Sequence, residues 1–473
     1  MKHVLILFTD QQRKDTIGAY GNPHVQTPNL DALAADSVVF ERCYTSSPVC
    51  APARFSIFSG QYCNRNGNNN NNPDHVYSGN GFYSRFTEEG YRSCCIGKMH
   101  HTVDLYGSMG FEKRITQEEL AHPEDDYTKF IREKHPTVFD YHGMRSEMYY
   151  VPQISQLPQA DHPTQWIGDH AVDYIRNFDK EDSMFLMASF IHPHPPFAPP
   201  APWQKLFRED PPAPFVPEKE DMDTFKGMIG KGASCERLQI SPQDMLRQNN
   251  FYYACVAFVD YQVGRIIEAL KEKGMYEDTM IIFTSDHGDM MGDFGAVGKR
   301  NMTDCVSNVP LIIHDPRREP GRRTDPCSLV DLAPTLFNYG GIAYEAAEFD
   351  GLDLFGERQH THVFSQYNCG ETGVYMVTDG QTKLVYQAAE DKYYYFDSMP
   401  ETRSTYSADN EKAMEWKKLL DEHRAADVNT TPGASASVVP KKKHPHYPAR
   451  VDQRWTLEKE AEQIPAGYTI DLG

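Results

Sequence analysis

Asp10 and Asp286 each close an apolar run, residues 4–9 before the first and residues 280–285 before the second. If both runs are buried parallel strands, their carboxyl ends open on the crevice where open α/β sheets bind ligands. Two carboxylates brought together there repel each other unless a cation lies between them. Gln11 adds an amide oxygen and His287 an imidazole, so the four side chains form a fitting ligand set for one divalent metal ion. Either aspartate alone would commonly cap a helix or turn a loop. The pair, at matching strand ends, points to metal. Basic groups share the placement. Lys98, His100 and His101 follow the short strand and turn Cys94-Cys95-Ile96-Gly97. His192 and His194 lie just past a strand ending at Phe190, and Lys299 comes shortly after the second acid. A lone loop histidine or lysine is usually solvated; what raises these is their common position at strand ends.

The elements that must position them are legible from periodicity. Residues 4–8 are a continuous apolar run, as expected of a strand buried on both faces, and 38–40, 184–190, 280–283 and 309–313 read as further mostly apolar strands. Thr27 and Pro28 read as the cap and first position of a helix with Leu30, Leu33 and Ala34 on its apolar face. Residues 166–178 and 251–273 carry helical periodicity, the second ended by Gly274. Strands alternating with helices predict an α/β fold, a large, mostly parallel sheet sandwiched by helices. After about residue 355 the texture changes to short strands at 362–364, 374–377 and 383–386, then a charged helix at 410–425. The expected organisation is therefore a catalytic α/β domain over 1–355 and a smaller C-terminal antiparallel α+β subdomain over 356–473. The tail from Val428 onward is expected to drape over the body or to reach a second copy in a homo-oligomer. The asparagine run 68–72 is a loop, read either as a solvated linker or as a pocket wall whose amides meet sugar hydroxyls. The prolines between 193 and 217 predict an irregular surface excursion.

Composition narrows the class. A chain of 473 residues with 40% hydrophobic content can bury one large core and a satellite. A net charge of -20 gives nucleic acid and anionic membrane surfaces the wrong sign as partners. An anionic substrate would need local lysine, arginine, histidine and metal charge to overcome that field. No apolar run approaches the ~20 residues that span a bilayer. The apolar start is too short for a signal-peptide core and is followed by no small-residue cleavage site, so a cytoplasmic location is expected, or a periplasmic one if a leader was removed. The ten cysteines include no CxxC pair; in a reducing compartment most would be small buried hydrophobes.

Cys50-Ala51-Pro52-Ala53-Arg54, leading into Phe55-Ser56-Ile57-Phe58-Ser59-Gly60, resembles the signature of the type I, formylglycine-dependent sulfatases of the alkaline-phosphatase-like superfamily. The order of the other segments is similar to theirs. Phe8-Thr9-Asp10-Gln11 resembles the first metal loop, Gly97-Lys98-Met99-His100 the Gly-Lys-x-His segment, and Pro193-His194-Pro195-Pro196 the Pro-His-x-Pro loop. Ser285-Asp286-His287-Gly288 resembles the second metal loop, Gly298-Lys299 with Val309-Pro310-Leu311 the last lysine segment, and Tyr395-Phe396-Asp397 a turn of the C-terminal subdomain. The resemblance spans roughly residues 1 to 400.

The resemblance implies a sulfatase hydrolysing a sulfate monoester, on a sugar or glycan fragment. Cys50 would be oxidised by a formylglycine-generating maturation enzyme to an aldehyde whose hydrate holds two hydroxyls. One would attack sulfur; proton loss from the other would then expel sulfate and restore the aldehyde. Residue 50 would join Asp10, Gln11, Asp286 and His287 around the metal. Arg54 would orient the hydrate, Lys98 and Lys299 hold sulfate oxygens, His194 face the leaving oxygen, and His100 assist the return to aldehyde. Calcium is the ion the family implies. Many members carry two consecutive aspartates where this chain has Asp10-Gln11, and Asp-Asn where it has Asp286-His287, which brings manganese or magnesium into range. The same choices resemble phosphonate monoester and phosphodiester hydrolases, the alternative reading. A non-catalytic carbohydrate-binding protein on this scaffold is argued against by the complete set of reactive positions.

Overall fold

The computed structural model describes residues 2–71, 81–100, 105–119, 121–138, 141–143, 150, 152–207, 213–215, 222–229, 234–429 and 464–469. His101, Asn72 and most of the tail beyond Val428 lie outside the described residues.

Among the described residues nine strands form the main sheet: β1 (His3–Asp10), β2 (Val38–Tyr44), β3 (Arg92–Gly97), β4 (Lys113–Thr116), β5 (Met184–Pro193), β6 (Thr279–Ser285), β7 (Asn308–His314), β8 (Gly321–Arg323) and β9 (Cys327–Ser328). Their order is β4-β3-β5-β1-β6-β7-β2-β8, with β9 also beside β2. β1 runs parallel to both β5 and β6, whereas β7 is antiparallel to its neighbours β6 and β2. The sheet is thus mostly parallel, as its apolar runs predict. Every residue of β1, β5 and β6 is buried. Alternate side chains of β1 enter opposite cores: Leu5 and Leu7 meet Ile167, Val259 and Val263 of two helices, while Val4, Ile6 and Phe8 meet Leu332, Leu336 and Phe337 of another.

Those helices span Pro163–Asn177, Pro242–Lys273 and Leu332–Gly340. The second begins well before residue 251. Ser241 caps it by accepting from Asp244 N, and its first turns carry Asp244, Arg247 and Gln248, which give no apolar period to read. α1 (Pro28–Ala35) has Pro28 in its first turn, but Thr27 makes no side-chain cap. Its hydroxyl instead accepts from Gly18 N at 2.9 Å and donates to Asp31 at 3.2 Å.

Two other expectations need correction. Residues 193–200 are buried, so the proline-rich stretch packs into the body there instead of running over the surface. Asn68 and Asn69 are fully buried, so that part of the asparagine run is no solvated linker. All ten cysteines are free, and all but Cys235 and Cys305 are buried. Among the described residues no helix is long and apolar enough to cross a membrane.

A second, antiparallel sheet follows: β10 (Val363–Tyr367), β11 (Val374–Thr378), β12 (Lys383–Gln387) and β13 (Lys392–Phe396). Three of these strands match the sequence reading; the fourth ends in the Tyr395-Phe396 pair read there as a turn. The helix Glu411–Ala425, capped by Asn410, covers one face through Ala413, Trp416 and Leu420. Between the sheets lies a buried ion cluster. Lys383 Nζ donates to Met302 O at 2.9 Å and Asp304 at 2.7 Å, and also pairs with Glu401. Burial lowers the affinity of this ammonium for its proton, but the two carboxylates outweigh that and keep it charged. Residues 464–469 return to the body, where the Tyr468 ring packs against Trp203 and Tyr261 and its hydroxyl donates to Asp260.

Candidate active site and metal centre

Thr9 of β1 lies opposite Ser285 of β6, which places Asp10 and Asp286 on adjacent strand tips. The pairing with β5 slips between Phe8 and Asp10, and Gln11 takes a left-handed turn with φ 63°. Non-glycine residues hold that conformation only where their surroundings enforce it, commonly at functional sites. The turn points the Gln11 N–H at Asp286 Oδ1 (3.0 Å), which also accepts from His287 N (2.9 Å).

Cys50 opens α2 (Cys50–Ser59), a helix buried along its whole length. Asn71 accepts from Ala51 N at 3.0 Å, satisfying one of the donors that a helix N-terminus leaves open. The Cys50 sulfur lies 3.6 Å from Asp10 Oδ1, 3.3 Å from His287 Nε2 and 2.8 Å from Lys299 Nζ. Arg54, four residues on, shares that face of the helix. Its Nε donates to Asp286 Oδ2 and its Nη2 to Asp10 Oδ2, both at 3.0 Å, and its plane lies over the Phe8 ring. Nη1 reaches Lys98 O and Ser189, so Arg54 clamps the two acids and holds residue 50 through them.

Lys98 follows Gly97, whose φ is 100° and where a Cβ would sit 2.1 Å from Ser189 O. The chain can turn there only without a side chain. The turn delivers Lys98 Nζ to Asp10 Oδ2 at 2.5 Å and to Glu119. Glu118 accepts from Met99 N and His100 N and so fixes the loop carrying His100. His194 Nδ1 lies 2.7 Å from Pro195 O, an atom that can only accept, so Nδ1 carries the proton and Nε2 faces the site, 3.7 Å from Glu119. His192 is turned away; it hydrogen-bonds Thr164 and stacks on His162.

Charge is dense and almost wholly buried. Burial and the Cys50 sulfur push the Asp10 carboxyl up, but Lys98, His194 and Arg54 bring it down to about 2. Burial and neighbouring Asp10 push Asp286 the other way, and a cation between the two carboxylates would offset their mutual repulsion. Burial also raises the Cys50 thiol, yet Lys299, Lys98 and His287 hold it well below the usual thiol range.

Asp10, Cys50, Asp286 and His287 each present a ligand atom, all within 4.8 Å of one another. His287 Nδ1 lies 2.9 Å from Gly288 O, which leaves the Nε2 lone pair toward the site. Gln11 Oε1 is buried with no hydrogen-bond partner among the described residues. An orphaned amide oxygen, two carboxylates and an oriented imidazole fit a divalent cation. Two site residues were not singled out from sequence. Glu119 stands among Lys98, His100 and His194, at 3.9 Å from His100 and 3.7 Å from His194. Asp289 holds the Gln11 amide.

A family model described as Sulfatase matches residues 2–342. An arylsulfatase of Clostridium perfringens is 29% identical over 452 residues, covering 89% of this chain and 92% of its own. The solved phosphonate monoester hydrolase of Agrobacterium radiobacter superposes with a TM-score of 0.76 at 24% identity, covering 90% of this chain and 96% of its own. A structure solved in complex with its substrate D-glucosamine-2-N,6-O-disulfate has a TM-score of 0.70 at 19% identity, covering 90% of this chain and 98% of its own. At these identities the two structures share the fold with this chain.

Proposed function

The chain belongs to the sulfatase family, and from that premise we propose that it hydrolyses a sulfate monoester on a sugar or glycan fragment, using a formylglycine made from Cys50. One observation carries the reading: the Cys50 sulfur lies at once beside Asp10, His287 and Lys299. A nucleophile at that point would face the acidic pair on one side and the basic cluster on the other. A divalent ion held by Asp10, Gln11, residue 50, Asp286 and His287 would supply positive charge next to the attacking oxygen. Calcium is the proposed ion.

The protein's own groups do the rest. Asp10, Asp286 and Glu119 face Arg54, Lys98 and Lys299, so a bound divalent ion leaves the centre net positive and able to hold an anion within an acidic protein. Lys299 and Lys98 grip the sulfuryl oxygens. His194, its Nδ1–H fixed on Pro195 O, presents Nε2 to the departing alcohol and, as the doubly protonated imidazolium, would give it the Nε2 proton and be left as the neutral ring. His100 takes the proton released when residue 50 returns to the aldehyde. Cys50 is 1% exposed, so the maturation enzyme would act before the site closes.

Three measurements test this. Intact peptide mass around residue 50 should show an aldehyde in place of the thiol, and Cys50→Ala should lose turnover by at least about three orders of magnitude with its fold kept. A panel of aryl sulfate, sugar sulfate, phosphodiester and phosphonate esters should favour the sulfates. Dominant turnover of phosphonates or phosphodiesters would select the second reading, which the Gln11 and His287 ligands and the phosphonate monoester hydrolase fold neighbour support.

A further inference from the structure

Asp289 sits at the back of the proposed metal site, fully buried, and divides its two oxygens between two tasks. Oδ1 accepts from Met291 N at 2.8 Å and Gly298 N at 3.1 Å. Oδ2 accepts from Tyr150 OH at 3.1 Å and from the Gln11 amide nitrogen. A carboxylate offers only acceptors, so the Gln11 side chain must turn its NH2 to Asp289 and its oxygen the other way. That oxygen is the buried Oε1 with no partner among the described residues. Tyr252 OH donates to Gln11 O at 2.7 Å and holds the same residue from the main-chain side.

We infer that Asp289 is a positioning residue for the metal: it fixes which end of the Gln11 amide faces the cation, and so commits this position to a neutral oxygen donor. The inference rests on the reading that Asp10 and Asp286 hold a cation. It makes a reciprocal demand on charge. A carboxylate at position 11 would meet the Asp289 carboxylate head on. An asparagine at 289 would keep its oxygen on the Met291 and Gly298 N–H groups and turn its own NH2 toward Gln11. The glutamine would then have to flip, presenting nitrogen to the ion, and an amide nitrogen is no ligand. Changing both positions restores the pattern, because the introduced asparagine can donate to one oxygen of the introduced glutamate and leave the other for the metal.

The test uses the full chain stripped of metal and titrated calorimetrically with Ca2+ and, separately, Mn2+, with no ester present. Gln11→Glu and Asp289→Asn should each weaken binding by about 10- to 100-fold, and the double variant should return to within a few-fold of the unaltered chain. Undiminished binding in Asp289→Asn, or a double variant weaker than both singles, overturns the inference. Should Asp289→Asn fail to fold, Gln11→Glu decides alone: undiminished affinity there overturns it too. If the unaltered chain binds neither ion, the cation reading itself falls and takes this inference with it; if binding follows the cycle but no sulfate ester is turned over, only the proposed substrate falls.

Discussion

Glu119 places a carboxylate among the groups that would grip an anionic ester, paired with Lys98 and 3.7 Å from His194. It would compete with such an ester for the same ammonium. Glu119→Gln should therefore lower KM for an aryl sulfate by about tenfold, the equivalent of ~1.4 kcal/mol, with kcat little changed. A fall in kcat at constant KM would instead mean that this acid holds Lys98 and His194 in place. Neither Glu119 nor Asp289 was legible from sequence, for different reasons. Asp10, Lys98, His194 and Asp286 each follow a run with a visible strand signal. Glu119 follows β4, four residues with the polar sequence Lys-Arg-Ile-Thr, which gives no apolar period to mark its end. Asp289 lies one step beyond the acid and imidazole that drew attention, and its importance depends on backbone N–H groups that no side-chain pattern reports. Arg54 was legible as a member of the site, but its grip on both acids needed the helix geometry to be seen.

At the scale of elements, the site depends on how tightly β3 and β5 approach where they end. Gly97 has no room for a side chain: a Cβ would lie 2.1 Å from the Ser189 carbonyl oxygen and 3.0 Å from Ile167 Cδ1, at a φ that L residues avoid. Gly97→Ala should destabilise the fold by roughly 3 kcal/mol or more, through backbone strain and overpacking together. Urea unfolding checks this; a change below about 1 kcal/mol would show that β3 can shift without cost. The central strands were legible because burial on both faces writes an unbroken apolar run. β4, β8 and β9 were not, being short and partly exposed or only two residues long. Helix starts were hidden wherever the first turn is polar, as at Pro242.

For the whole molecule, the returning tail carries a pH dependence. Burial pushes the Asp260 carboxyl up to about 6 from 3.8, although Tyr468, Leu30 and Asn29 donate to it. The folded chain therefore holds this proton more tightly than the unfolded one. The stability it contributes is complete below the unfolded value and is lost as pH rises through about 6. Urea midpoints across roughly pH 4 to pH 7 should fall more steeply for the unaltered chain than for Asp260→Asn; parallel curves would contradict this. The division into a large α/β part and a later antiparallel sheet could be read from texture, but the contacts joining them could not, since they pair residues such as Asp304 and Lys383 that are far apart in sequence. Those contacts carry a consequence for anyone recombining relatives of this protein. The segment bearing Lys299 is tied at its start by Asp289 to Gly298 and at its end by Lys383 to Met302 and Asp304. A chimera that swaps in a foreign C-terminal part without a lysine at position 383 would leave Asp304 and the Met302 carbonyl without the ammonium that holds them. The damage would surface not in the transplanted part but at Lys299, beside residue 50 of the proposed site.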